Sequence, residues 1–318
     1  MSCRPLFCYL PLFYALTLLA HGQVAATIND PHFLSPATTI TRSVNEVNLA
    51  FTVVDKKGHF VGNLQRDDFR VLDNEQAPPR LTLFEQRSDL PLHLAILIDA
   101  SSSVQNRFHF EQEAALTFVK KILRPGTDKA LVVAFNDHLT TIQDLTDQSA
   151  KISKTLARVK PEGNTALYDA VIYGAEKLRQ IPEHEITRRA IVLISDGVDT
   201  VHRSTLGQAE QAATRAEVMI FALTTSSPDD VDDNDGDAIL RQLATSTGGV
   251  LLSSGDDTQL VSAFRNVGKA LRNQYVTAYN PPAFAADGSY RTVQVIPLKD
   301  GLRTNCRKGY YAKAPPGH

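Results

Sequence analysis

Two segments of the chain contain stretches in which hydrophobic and polar residues alternate. Between residues 44 and 85, Leu49 and Phe51 belong to a run in which every second residue is apolar. The same alternation returns from Gln274 to Ala312. Such a period of two indicates half-buried β-strands. Because each segment alone holds too few strands to be stable, we expect both to pack together as one small β domain.

The middle of the chain has a different pattern, in which short and continuous apolar runs alternate with segments of helical periodicity. The apolar runs are Leu94–Ile98, Leu131–Phe135, Ala190–Ile194, Val218–Leu223 and Val250–Leu252. The helical segments are Phe110–Leu123, Leu167–Arg179, Leu206–Ala216, Ala238–Thr245 and Thr258–Arg272. This alternation predicts a doubly wound α/β fold, a mostly parallel sheet with helices on both faces. Such sheets bind ligands at the carboxyl ends of their strands.

The amino terminus has the features of a secretory signal peptide. A short basic start precedes the apolar run Leu6–Ala20, and small residues follow it. We therefore predict a signal peptide at 1–22 and an exported protein, either periplasmic or extracellular. The mature chain holds no apolar run long enough to span a membrane. The same patterns predict a β segment at 23–88, an α/β domain at 89–273 and a second β segment at 274–318.

Composition and charge narrow the possible functions. The 318 residues are 43% hydrophobic and 21% charged, which is typical of a soluble globular protein. The formal net charge is only −2, so no basic field favours nucleic acid. Loss of residues 1–22 would remove Cys3 and Cys8 and leave Cys306 without an internal disulfide partner.

Oxygen-bearing side chains follow the apolar runs at the expected ligand-binding edge. The first run continues into Asp99, Ser101 and Ser103, and a later one into Asp196. Thr165 adds a hydroxyl just before a predicted helix. A set of oxygen donors without His or Cys suits Mg²⁺, Mn²⁺ or Ca²⁺. Taken singly, each motif also fits a simpler structural role as a helix cap or a turn.

This arrangement resembles the metal-ion-dependent adhesion site of von Willebrand factor type A domains. The matching positions are Asp99-x-Ser101-x-Ser103, then Thr165, then Asp196. The resemblance covers roughly residues 91–273. The flanking motifs Asp67-Asp68-Phe69 and Gly309-Tyr310-Tyr311 resemble a bacterial family related to this domain. The chain departs from the pattern at Asn164, where a second glycine is common.

The resemblance implies a role for each of these side chains. Ser101 and Ser103 would bind the metal directly, and Thr165 would bind it directly or through water. Asp99 and Asp196 would either hold waters that coordinate the ion or bind the ion themselves. One coordination position would stay open for a carboxylate from a partner protein, since the remaining ligands leave the ion unsaturated.

Two other motifs are weaker. The segment Asp229–Asp237 holds six Asp in nine residues, but its spacing fails the calcium-loop pattern. We expect a solvated acidic loop there, with weak Ca²⁺ binding as the alternative. His184-Glu185 resembles the start of a zinc-protease helix, yet Arg188 occupies the position of the second histidine.

The expected function is therefore an exported, divalent-metal-dependent protein-binding module in adhesion or assembly. It would capture an acidic side chain of a partner protein, and we expect no enzymatic activity. One alternative is a structural or regulatory subunit in which the metal only holds loops together. A metal-assisted enzyme is the other. The sequence leaves open the partner, the choice of metal and the oligomeric state.

Overall fold

The computed structural model describes residues 46–182, 187–226, 234–253 and 257–312. All of them lie in one compact unit that spans residues 43–318. The predicted signal peptide, the His184-Glu185 pair and Asp229–Asp233 lie outside the described residues. Among the residues that are described, no helix has both the length and the apolar character needed to cross a membrane.

The described residues form β-strands and α-helices in the following order. The strands are β1 (Val47–Val54), β2 (Phe69–Asp73), β3 (Leu81–Arg87), β4 (Leu92–Asp99), β5 (Lys129–Phe135), β6 (Leu139–Thr146), β7 (Arg188–Ser195), β8 (Met219–Thr224), β9 (Leu251–Ser253), β10 (Gln274–Tyr279), β11 (Tyr290–Pro297), β12 (Arg303–Cys306) and β13 (Gly309–Tyr311). The helices are α1 (Phe108–Ile122), α2 (Ser149–Leu156), α3 (Leu167–Arg179), α4 (Leu206–Arg215), α5 (Asn234–Ser246) and α6 (Asp257–Arg272).

A six-stranded sheet forms the centre of the fold, in the order β6-β5-β4-β7-β8-β9. Strand β4 pairs in parallel with β5 and β7, and only β6 runs antiparallel to its neighbour. Helices cover both faces of this sheet. Leu94 and Ile96 pack against the layer of α1, α2 and α6, whereas Ala95 and Leu97 pack against α3, α4 and α5. Burial on both faces explains the continuous apolar run and confirms the predicted fold class.

Two small antiparallel sheets combine the segments before and after the central sheet. One has the order β12-β1-β10-β3, and the other has the order β13-β11-β2. Phe51, Phe69, Phe84 and Tyr275 form their aromatic core, with ring centroids 5.3 to 6.4 Å apart. The two β segments thus share their sheets, as expected. The exact domain boundaries at residues 89 and 273 stay predictions.

Strand β6 and helix α2 were not predicted from the sequence. Strand β6 is an edge strand whose residues are half-buried or exposed, so its apolar alternation is weak. Helix α2 buries only Ile152 and Leu156. Two apolar positions in eight residues are too few to reveal a helical period.

Candidate functional site

The candidate site lies where two neighbouring parallel strands end. Strand β4 ends at Asp99 and β7 ends at Ser195, and Ile98 of β4 pairs with Ile194 of β7. Asp196 directly follows β7. The register therefore brings Asp99 and Asp196 to the same edge of the sheet, as the apolar runs predict.

Asp99 is fully buried, and both of its carboxylate oxygens accept hydrogen bonds. Oδ1 accepts from the backbone N–H of Ser101 at 2.9 Å, and Oδ2 accepts from Oγ of Ser195 at 2.6 Å. Burial raises the pKa of Asp99 to about 6, although these hydrogen bonds oppose the shift. The negative charge of Asp196 raises this pKa further. A metal ion at this edge would favour the ionised form.

Ser101, Ser103 and Asp196 form a continuous chain of oxygen atoms. The hydroxyl oxygens of Ser101 and Ser103 are 3.0 Å apart, and Oγ of Ser103 donates to Oδ2 of Asp196 at 2.7 Å. Adjacent ligands of an octahedral Mg²⁺ with bonds of 2.0–2.1 Å lie about 2.9 Å apart. The spacing of these three oxygens therefore fits the ligand shell of a small divalent cation.

The middle of this oxygen chain is its most exposed part. Ser101 is 1% exposed, Asp196 is half-buried and Ser103 is exposed. A group from another molecule can therefore reach these donors at Ser103. Two of the five predicted donors are carboxylates. Accordingly, no cluster of three or more His, Cys, Asp or Glu suited to a metal occurs in the described part of the chain.

Close backbone packing holds Asp196 in place. Gly197 has φ +88, and a Cβ there would lie 2.3 Å from the carbonyl oxygen of Gly236 at the start of α5. A Cβ on Gly236 would likewise lie 2.2 Å from the carbonyl oxygen of Asp196. Only glycine fits both positions. In addition, Oδ1 of Asp196 accepts from the N–H of Val198 at 3.0 Å.

Thr165 lies in a loop that is tied to the serine segment. Thr165 is 4% exposed, and its N–H donates to Oγ1 of Thr200 at 2.9 Å. The N–H of Ser102 donates to the carbonyl oxygen of Gly163 at 3.0 Å. This contact places the Thr165 loop beside Ser101 and Ser103, so the structure brings the five predicted residues to one region.

Asn164 supports this loop rather than disturbing it. Its N–H donates to Oδ2 of Asp137 at 3.0 Å, and its side-chain amide donates to Oδ1 at 2.8 Å. The left-handed backbone position is taken by Gly163, with φ +80. Asn164 thus replaces a second glycine without needing a left-handed conformation.

Glu111 is an additional carboxyl group near the site, and no sequence motif points to it. It is fully buried on α1, and neither carboxyl oxygen has a hydrogen-bond partner. Burial raises the pKa of Glu111 to about 8; Arg107 lowers it, and the charges of Asp99 and Asp196 raise it further. The signal was present in the sequence, because Phe108, Glu111 and Ala115 share the helical spacing of the buried face.

Two histidines and the flanking Gly309-Tyr310-Tyr311 motif take surface or packing positions. His109 and His138 are exposed. Tyr310 is buried and donates to Asp73, and Tyr311 is half-buried against Tyr290 with ring centroids 5.3 Å apart. These contacts give both tyrosines a packing role.

Part of the chain matches a known protein family. Residues 94–198 match the family model described as "von Willebrand factor type A domain", which covers about a third of the chain. No curated protein sequence matches the chain significantly.

Solved structures similar to this chain come from several organisms. BatB from Bacteroides thetaiotaomicron is 15% identical, with a TM-score of 0.46 over 57% of this chain and 98% of BatB. The vWF domain of the type V pili tip protein Mfa5 from Porphyromonas gingivalis is 13% identical, with a TM-score of 0.47 over 57% of this chain and 94% of that domain. Proximal thread matrix protein 1 from the mussel byssus, with a zinc-occupied MIDAS motif, is 19% identical, with a TM-score of 0.48. That alignment covers 62% of this chain and 49% of the mussel protein.

Proposed function

We infer that this chain, which contains a von Willebrand factor type A domain, is a protein-interaction module that binds its partner through a divalent cation. The partner would contribute the carboxylate of an acidic side chain. One observation carries the proposal: the oxygen chain of Ser101, Ser103 and Asp196, with gaps of 3.0 and 2.7 Å, begins at the buried sheet edge and is open to solvent at Ser103.

Each residue of the site has a part in this proposal. Ser101, Ser103 and Asp196 would bind the cation, and Thr165 would bind it directly or through water. Asp99 would orient Ser101 through the N–H that it accepts at 2.9 Å. A bound Mg²⁺, Mn²⁺ or Ca²⁺ would supply a positive centre with a coordination position for an oxygen from outside the chain.

Two alternatives fit the geometry less well. The hydrogen bond between Ser102 and Gly163 already joins the two loops, so a cation is not needed merely to hold them together. An enzyme needs a base that reaches the substrate, but the extra carboxyl group of Glu111 is fully buried. We therefore propose a non-enzymatic binding protein. With a signal peptide at residues 1–22, it would act in adhesion or assembly in the periplasm or outside the cell.

Calorimetric titration of chelator-treated protein with Mg²⁺, Mn²⁺ and Ca²⁺ tests the cation site. We expect binding at one site in the unsubstituted protein and at least about tenfold weaker binding in Ser103→Ala, because a direct ligand is lost. Ser102→Ala is the matched control, since this neighbouring serine is also exposed but lies outside the proposed ligand set. Equal affinity in the two variants would contradict the site.

A second measurement tests the partner chemistry. A short peptide with a single glutamate, in otherwise neutral and small residues, is titrated into ¹⁵N-labelled protein with and without Mg²⁺. We expect Mg²⁺-dependent shifts of amide signals in residues 100–104, and no such shifts with the glutamine version of the peptide. A site that binds Mg²⁺ but does not respond to the glutamate peptide would argue against partner capture through the cation.

A further inference from the structure

A small pocket with two cationic side chains lies directly beside the candidate cation site. Its volume is about 230 Å³, and its lining includes Ala100, the residue between Asp99 and Ser101. This volume is below the 300–1,000 Å³ that is usual for sites of whole small-molecule ligands. It suits a single side chain.

Backbone hydrogen bonds join this pocket to the site. The N–H of Glu162 donates to the carbonyl oxygen of Ala100 at 2.8 Å, and the N–H of Ala100 donates to the carbonyl oxygen of Phe135 at 2.8 Å. The next loop contact is the Ser102–Gly163 hydrogen bond at 3.0 Å. The pocket wall and the serine segment therefore form one connected piece of structure, and a ligand in one will lie close to the other.

The charged groups of the pocket favour an acidic ligand. Arg158 and Lys160 are exposed at its rim, and neither forms a salt bridge with any residue in the described part of the chain. Glu162 is the acidic residue of the lining, so cations outnumber acids there. Two cations beside one acidic residue leave a net positive charge that attracts an anionic group, and an arginine is able to bind a carboxylate with two parallel hydrogen bonds.

The rest of the lining favours an acidic side chain with an apolar stem. Ile142 and Val159 contribute apolar surface, and Asn136 and Thr140 contribute neutral hydrogen-bonding groups. An inorganic anion would leave the apolar surface without a partner. The methylene groups of a glutamate would cover it while the carboxylate reaches the cationic rim.

We propose that this pocket is a second recognition site, which binds a second acidic side chain from the same partner segment that reaches the cation site. This inference rests on the proposed function and narrows the partner to a segment with at least two acidic residues. Two weak contacts on one segment strengthen each other, because the second forms at high effective concentration once the first is made.

The test uses synthetic peptides with one glutamate, or with two glutamates separated by one to five small neutral residues. Each is titrated into Mg²⁺-loaded, ¹⁵N-labelled full chain, and the dissociation constant is taken from amide shifts. We expect at least one spacing of the two-glutamate peptide to bind roughly 3- to 10-fold more tightly than the one-glutamate peptide. The amide of Glu162 should respond to the two-glutamate peptide alone.

Variants then assign the effect to the pocket. In Arg158→Gln/Lys160→Gln we expect the gain from the second glutamate to disappear, with Mg²⁺ binding and the one-glutamate affinity unchanged. The matched control is Lys151→Gln/Lys154→Gln, which removes two exposed lysines from α2 that do not line the pocket. This control variant should still bind the two-glutamate peptide more tightly than the one-glutamate peptide.

The outcomes separate the two proposals. If the one-glutamate peptide binds with Mg²⁺ but no spacing of the second glutamate improves affinity, the pocket proposal is wrong and the proposed function stands. The pocket proposal would also be overturned if the second glutamate still improved affinity in Arg158→Gln/Lys160→Gln. If the one-glutamate peptide shows no Mg²⁺-dependent binding, the proposed function fails and this inference fails with it.

Discussion

The hydroxyl of Ser195 donates a hydrogen bond of 2.6 Å to the buried carboxylate of Asp99. The same hydroxyl accepts the N–H of Gly197 at 3.1 Å. One serine at the end of β7 thus holds both the carboxylate of β4 and the turn that carries Asp196. Groups that orient the ligands of a metal in this way commonly change its affinity when they are removed.

Replacing Ser195 by alanine should weaken cation binding. The Asp99 carboxylate would lose one of its two hydrogen bonds while it stays buried, and the turn at Asp196 would lose its anchor. We expect Mg²⁺ affinity to fall about tenfold, measured by calorimetry at pH 7. The control is Ser153→Ala, whose hydroxyl bonds only within α2. An unchanged affinity in Ser195→Ala would show that this contact has no part in cation binding.

Cation affinity should also depend on pH through Asp99. Burial raises the pKa of this carboxyl to about 6, and the charge of a nearby cation would favour its ionised form. Affinity should therefore be constant well above pH 6 and about tenfold lower at pH 5, because only about a tenth of the carboxyl groups are then ionised. Titrations at several pH values test this, and a flat profile from pH 5 to 8 would contradict it.

The sheet edge and its oxygen donors could be predicted because local patterns specify them. A continuous apolar run predicts a buried parallel strand, and the residue after it, such as Asp99, lies at the ligand-binding edge. The role of Ser195 could not be predicted, because it depends on the pairing of β4 with β7, which are distant in sequence. The cationic pocket depends on α2 and β6, which have weak periodicity.

Glu111 shows another limit of sequence patterns. Its spacing places it on the buried face of α1, yet a glutamate in such a position is usually paired or exposed. The sequence does not reveal that its carboxyl group lies close enough to Asp99 and Asp196 for their charges to act on it. That proximity results from packing α1 against the ends of β4 and β7.

Replacing Glu111 by glutamine should flatten the pH dependence of stability. Burial raises the folded-state pKa from 4.5 to about 8, so the folded protein holds this proton more tightly than the unfolded chain. The resulting stabilisation is complete below about pH 4.5 and is lost as the pH rises through about 8. Glutamine carries no such proton, and we expect Glu111→Gln to be more stable than the unsubstituted protein at pH 9, by ~1–3 kcal/mol.

Thermal unfolding in chelator across pH 5 to 9 measures this difference. Glu113→Gln, on the same helix but exposed, is the matched control and should follow the unsubstituted protein at every pH. If Glu111→Gln and Glu113→Gln give parallel curves, the buried carboxyl group is not the source of the pH dependence.

Asp73 should be a main determinant of stability in the antiparallel sheets. Its fully buried carboxylate accepts from the hydroxyls of Tyr279 and Tyr310 at 2.9 and 2.8 Å, and from Nε of Arg291 at 2.7 Å. These donors come from β10, β13 and β11, so one side chain on β2 joins strands of both small sheets. In Asp73→Ala the buried Arg291 would lose its counter-charge, and both hydroxyls would lose their acceptor.

For Asp73→Ala we expect a loss of about 3–5 kcal/mol in the free energy of unfolding, measured with urea. Asp67→Ala, at an exposed position, should change it by less than about 0.5 kcal/mol. Similar losses in both variants would mean that the Asp73 network does not hold the two sheets together.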